Sequence, residues 1–493
     1  MSIKKELTSG ILITFISKYS NVLIQLIMGI ILARLLSPSE FGVVAIITIF
    51  TNFFYLLTSA GINTAVIQTK DLDDESNSII FNYTIIIGLI LGLGFYYSSF
   101  LIAKFYENLV YIDFGKILII SIFFYSISCV PLAIIAKRRD FKKIAFIEIS
   151  SNLISGIIGV ILAYAGFSVY ALIAKITIKA IVQFLMSFYY SKINIIPKIN
   201  FEPLQKIYVY AGYDFAFKFL NYFTRNSDNL LIGKFLGPVS LGYYDKSYRF
   251  MLYPIQMLTH VITPVLHPIL SDYQNDKRII YTTYSKVVGI LAIMGVPISI
   301  ILFFSSNEVI IVLFGNQWVK SVPVFQILSL SIWIQMILSS SGSIFRSSGR
   351  TDLLFYSGVL SSITTVSGIL IGVLFFKNLE ALAVILVMAF TINFLQAYWI
   401  MYHYIFEKRM LELFQILLKP LIVGTVMIFS FLVFNINIEI MLMSLLYKFM
   451  LGGIAFIVTA VGIKEPITLR VFKEIKSLII NKIKKTKKHN GGK

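Results

Sequence analysis

Cysteine, histidine and charge are all scarce in this chain of 493 residues. The one cysteine, Cys129, rules out a disulfide within the chain and any multi-cysteine metal site. The four histidines, His260, His267, His403 and His489, are scattered. His260 and His267 share a helical face and read as packed, hydrogen-bonded residues. Charged residues make up 14%, against about 25% in a soluble domain. Acids are the scarcer sign: 24 Asp+Glu against 43 Lys+Arg leaves a net charge of +19. No G-x-x-x-x-G-K-[ST], H-E-x-x-H or G-x-S-x-G pattern occurs, which excludes P-loop nucleotide hydrolysis and gives no protease or esterase signature. Gly92-x-Gly94 sits inside an apolar run and is no phosphate loop. A polar linker of the kind that separates soluble domains is also missing.

Apolar residues supply 57% of the chain. A soluble protein of this size could not keep that much apolar surface from water in one core. The expectation is an all-α integral membrane protein. Only helices and closed barrels satisfy their backbone in lipid, and the apolar runs are too long for barrel strands. Fourteen candidate spans fall near 11–36, 41–69, 79–103, 113–136, 145–164, 168–190, 208–236, 239–270, 285–305, 322–345, 353–376, 380–402, 413–434 and 440–463. The first apolar run, Ile11 to Leu36, is too long for a signal-peptide core and reads as the first span.

Cytoplasmic loops of membrane proteins collect Lys and Arg. With the N-terminus in the cytoplasm, the cytoplasmic loops hold seventeen cations and the outer loops three, Lys104, Lys320 and Lys377. Both termini are then expected in the cytoplasm of a cytoplasmic-membrane protein. The outer loops are mere turns, with no room for a catalytic domain, so no enzyme is expected. The tail, residues 464–493, holds ten Lys+Arg and two acids. Val471, Ile475, Leu478, Ile479 and Ile483 recur there at helical spacing, which predicts an amphipathic helix on anionic inner-leaflet lipid. Nucleic acid is not an expected partner.

A shift of 200 residues lays Ile31 to Gly42 over Leu231 to Gly242 without a gap. Arg34 meets Lys234, Pro38 meets Pro238 and Gly42 meets Gly242. Lys18 meets Lys218 and Asn21 meets Asn221. Phe105-Tyr106-Glu107-Asn108-Leu109 resembles Phe314-Gly315-Asn316-Gln317-Trp318. The repeat predicts two six-helix lobes, 1–190 and 208–402, joined by a cytoplasmic linker, 191–207. Two extra helices, 403–463, and the basic tail complete the chain. An even number of helices per lobe makes the repeats parallel, related by a pseudo-two-fold axis along the membrane normal.

A charge at the bilayer centre costs at least about 2.5–3.5 kcal/mol, so it faces a cavity or a partner. In the seventh span Asp214, Lys218, Asn221, Arg225 and Asp228 fall within about 40° of one line at 100° per residue. The first span carries Thr14, Lys18, Asn21 and Gln25 in the same manner; the sixth carries Lys175, Lys179 and Gln183. Two readings compete. Asp214–Lys218 and Arg225–Asp228 are either intrahelical ion pairs that tolerate burial, or members of stripes facing a watery cavity between the lobes. Lys175 and Lys179 have no acid at i±3 or i±4 and read as cavity-lining. The cationic excess suits an anionic substrate such as a phosphate or uronic acid. Asp214 and Asp228 are the candidates for binding a coupling cation or for holding Lys218 and Arg225. No metal site or cofactor is expected.

The turn Ala33-Arg34-Leu35-Leu36-Ser37-Pro38-Ser39-Glu40-Phe41-Gly42 is similar to the first-loop signature of Wzx-type polysaccharide flippases, the branch exporting O-antigen-, colanic-acid- or teichuronic-acid-like glycans. Asp228 to Gly237, Leu241-Gly242-Tyr243-Tyr244, Phe314 to Trp318 and Gly349-Arg350 also resemble it. The likeness covers nearly the whole chain. It implies a place in the multidrug/oligosaccharidyl-lipid/polysaccharide exporter superfamily and alternating access. It also implies flipping of undecaprenyl-pyrophosphate-linked oligosaccharide, coupling to H+ or Na+, and polymerase or export machinery as partners. It carries no site residue over. A peptidoglycan-precursor flippase or a cation-coupled drug exporter of the same superfamily is the alternative. A drug exporter for organic cations would need an acidic lumen. A glycan polymerase or ligase would need the outer loop that is missing.

Overall fold

The structure is a computed structural model that describes residues 3–59, 62–69, 72–198, 200, 222–223, 225–274, 276–434, 436 and 438–463. The described residues form helices and no strand. In chain order they are α1 (Ile3–Leu35), α2 (Pro38–Ser59), α3 (Ile62–Gln68), α4 (Asp74–Tyr106), α5 (Val110–Lys137), α6 (Phe141–Tyr164), α7 (Val169–Ser191) and α8 (225–235). Then come α9 (Gly237–Ser271), α10 (Lys277–Phe304), α11 (Ser306–Phe314), α12 (Ser321–Ser329), α13 (Ile332–Ser347), α14 (Thr351–Ile371), α15 (Leu379–Ile400), α16 (Leu411–Val433) and α17 (Met441–Gly462). Short π turns extend α14 to Phe376 and α15 to Ile405.

Among the described residues eleven helices are long and apolar enough to cross a membrane, or twelve if the bent pair α12–α13 is one span. The expected run 208–236 lies mostly outside the described residues, as does the tail 464–493. The run 239–270 is helical throughout as α9 but is not among the eleven.

The run 41–69 is described as α2 and α3, with residues 60–61 outside the described residues. One expected span is not a single rod: the run 322–345 breaks between Ser329 and Ile332, where α12 and α13 meet at 56°. Serine hydroxyls account for this break. Ser329 and Ser331 donate back to the carbonyls of Gln326 and Leu328, and the amides of Leu330 and Ser331 switch to i−3 acceptors. That tightens the turn and tilts α13 away from the axis of α12.

The described chain packs as two compact units. The first is Met1–Lys246 with Leu313–Lys320 and Ile369–Leu382; the second is Ser247–Val312 with Ser321–Gly368 and Ala383–Lys493. In the first, α5 lies against α4 and α7, and α6 bridges α7 to α1. Its apolar core joins Ile62 and Val66 of α3 to Ile80 and Phe81 of α4 and Val130 and Ile134 of α5. In the second, α10 is central, packed on α13 and α16, and α16 carries α17. There a buried ion pair fixes α17: Lys448 Nζ lies 2.5 Å from Glu308 Oε1 and donates to the carbonyl of Phe304 at 2.9 Å, while Ser444 donates to the same carboxylate.

Candidate functional site

Within the first unit, α1, α6 and α7 bring a polar group together inside their apolar lengths. Asn21 of α1 is buried and donates to Glu148 Oε2 of α6 at 3.2 Å and to Ser17 Oγ at 3.4 Å. Asn152, one turn beyond Glu148, donates to Asn21 Oδ1 at 2.8 Å. Ser17 also hydrogen-bonds Glu148, and Lys18 and Lys179 are close enough to act on it electrostatically. Among the described residues, neither lysine forms a contact ion pair with Glu148. Lys18 and Glu148 are exposed and Lys179 is half-buried, so the group borders open space. Charges at this depth of apolar helices face a cavity or compensate one another.

The expected site residues divide accordingly. Lys18, Asn21 and Lys179 come together. Gln25 is exposed two turns along α1 from Lys18. Lys175 is half-buried, its stem against Gly159 of α6. Gln183 donates to Ser128 of α5 at 3.4 Å. Asp214, Lys218 and Asn221 lie outside the described residues. Arg225 is exposed and Asp228 is buried, and no ion pair joins them among the described residues. The intrahelical-pair reading is corrected for these two. The Asp228 carboxylate instead accepts the Tyr244 hydroxyl and the Asn229 amide, both at 2.8 Å, because α9 folds Tyr244 over it. Asp228 also lies within electrostatic reach of Asp245, which is equally buried.

Glu148 and Asn152 were missed. Their spacing of four residues on one face of the run 145–164 was the available signal.

A second cluster joins the repeated turns. A Cβ on Gly42 would clash with the carbonyl oxygen of Pro238, and a Cβ on Gly242 with that of Pro38. Each proline–glycine turn thus seats against its counterpart. The cations at the helix ends are exchanged as well. Arg34 donates to the Leu313 carbonyl at 3.1 Å, and Lys234 to the Phe105 carbonyl at 2.6 Å. Trp318 Nε1 donates to Ala33 O at 2.8 Å and Gln317 to Leu36 O at 3.2 Å, while Tyr106 donates to Leu230 O at 3.2 Å. Apart from Leu230 O, which lies inside α8, the acceptors are helix-end carbonyls that lipid could not satisfy. Lys246 is buried beside them. Its ammonium lies 4.1 Å from the Phe41 ring centroid, with the rings of Phe314 and Trp318 close by, and it donates to the Gly29 carbonyl.

Long apolar helices around a charged, amide-lined face define a multi-span membrane protein. The chain belongs to the family of polysaccharide biosynthesis proteins, whose model matches residues 31–323. It is similar to the teichuronic acid biosynthesis protein TuaB of Bacillus subtilis, 26% identical over 86% of this chain and 88% of that one. It is also similar to the lipopolysaccharide biosynthesis protein WzxC of Escherichia coli, 22% identical over 76% of each chain. Its fold is like that of the lipid II flippase MurJ in an inward closed conformation, with a TM-score of 0.71 at 17% identity, over 93% of this chain and all of that one. An inward-facing multidrug transporter of the MATE family gives a TM-score of 0.62 at 14% identity, over 77% of this chain and 94% of that one. The fold is therefore shared with these two solved structures.

Proposed function

We propose that this transporter flips undecaprenyl-diphosphate-linked oligosaccharide repeat units from the inner to the outer leaflet of the cytoplasmic membrane. The observation that carries the reading is the group Lys18, Asn21, Glu148, Asn152 and Lys179, open on one side yet set within three membrane-length helices. A cationic face at that depth lowers the cost of carrying an anionic diphosphate through a low-dielectric slab. In the full reading there are fourteen spans, and the lobes 1–190 and 208–402 alternate access about the linker 191–207. The polyprenyl tail stays in lipid, passing through a gap between the lobes, and the basic tail rests on the inner leaflet, both termini being cytoplasmic. Lys218, Asn221 and Arg225 extend the cationic face. Asp214 or Asp228 takes the coupling H+ or Na+.

A strain lacking the gene should accumulate lipid-linked repeat units facing the cytoplasm and lose surface polymer; normal export would refute the reading. A charge-removing change at Lys179 should reproduce that loss with membrane insertion intact. A peptidoglycan-precursor flippase would use the same cationic face. Rescue of a strain depleted of its own precursor flippase would favour that alternative.

A further inference from the structure

Among the described residues, the face shared by α1, α6 and α7 contains one acid, Glu148, beside Lys18 and Lys179, and moving an anion gives that acid no evident task. We propose that Glu148 is a built-in counter-anion for Lys18 and Lys179, occupying the place that the substrate's diphosphate takes on binding; this rests on the transport reading above. Glu148 is fixed by neutral donors, the Asn21 amide at 3.2 Å and the Ser17 hydroxyl, and Asn21 is in turn fixed by Asn152 at 2.8 Å. The carboxylate is thus held within electrostatic reach of both lysines without a contact to either. A pair built only for stability would close to contact, with its hydrogen bonds used up. Here both ammonium groups keep donors for an arriving anion, and the exposure of Lys18 and Glu148 gives it access.

Charge selects the ligand class. A diphosphate diester carries two negative charges and matches two lysines, whereas a single sugar carboxylate matches one. The carboxylate also keeps the site from holding its ligand too firmly. When the diphosphate leaves, Glu148 returns to the lysines and they are not left uncompensated. A transport site must bind strongly enough to load and weakly enough to unload.

The test is binding of farnesyl diphosphate to the purified full-length chain by isothermal titration. Glu148→Gln keeps the shape and removes the competing charge, so it should bind about tenfold tighter than wild type and export polymer more slowly. Lys179→Met should bind at least about tenfold more weakly. Glu148→Asp keeps the charge and should bind like wild type. The proposal is overturned if Glu148→Gln, with an unchanged melting temperature, binds no more tightly than wild type. It is equally overturned if Glu148→Asp matches the Gln variant, since charge would then not be the cause. Sodium glucuronate, run in parallel, should gain nothing from Glu148→Gln; an equal gain would give the lysines to the glycan's own acids and remove the diphosphate assignment. Failure of the transport reading would show separately, as normal polymer export in the deletion strain.

Discussion

Gly42 cannot carry a side chain without moving a backbone. The oxygen of Pro238 occupies the place of its missing Cβ, and that oxygen belongs to a turn, not to a flexible side chain. Gly42→Ala should therefore lower the melting temperature in detergent and reduce export. Gly453 of α17 has nothing within 4 Å of its would-be Cβ. Gly453→Ala should stabilise by about 0.5–1 kcal/mol, through helix propensity alone. Equal effects of the two changes would contradict the seating of the turns. Asp140 offers a pH test. It caps α6, accepting from the Lys143 amide at 3.3 Å and pairing with the Lys143 ammonium at 2.7 Å. The lysine beside it holds its carboxyl below the usual range. A lowered carboxyl stabilises the fold above its unfolded pKa and loses that contribution as pH falls through its folded one. Asp140→Ala should thus cost about 1 kcal/mol at neutral pH, and the deficit should shrink below about pH 4. Residue identity was legible where geometry forces it, as at Pro38, Gly42, Pro238 and Gly242. It was not legible at Glu148, because one acid in an apolar run gives no sign of which neighbour it will meet.

At the scale of elements, apolar length located every membrane-length helix that the structure describes, because each run has to hide its backbone from lipid. The short α11 (Ser306–Phe314), which falls between the expected runs 285–305 and 322–345, and the bend in the run 322–345 escaped. Ser329 and Ser331 look like ordinary members of an apolar run, and only the bonds their hydroxyls make to the preceding turn bend the span. The attachment of α17 was equally silent in the sequence, since Glu308 and Lys448 are 140 residues apart. Burial makes that pair fragile. Lys448→Met leaves the carboxylate of Glu308, only 6% exposed, without its cation, and should destabilise by about 3 kcal/mol. The double variant Glu308→Gln, Lys448→Met should recover most of the loss in a detergent melt, because no charge is then stranded. A double variant as unstable as the single one would mean that packing, not charge, holds α17.

At the scale of the molecule, water is the quantity to measure. If the α1–α6–α7 face lines an aqueous path, cysteines placed there should react with membrane-impermeant thiol reagents. Cys129 is buried, so Cys129→Ala supplies a silent background. Lys18→Cys and Lys179→Cys should label rapidly in membrane vesicles, and prior farnesyl diphosphate should slow both. Ile90→Cys, on an exposed apolar face of α4, should label poorly. The reverse order would turn the polar face toward lipid and end the transport account.

The two proline–glycine turns carry one more consequence. Each glycine makes room for the other turn's proline, so either alanine forces the same two backbones apart. A single separation relieves both clashes. Gly42→Ala and Gly242→Ala should consequently be sub-additive, the combined variant losing less than the sum of the two. It is the arithmetic of a self-complementary interface, in which one patch meets its own image, written here within a single polypeptide.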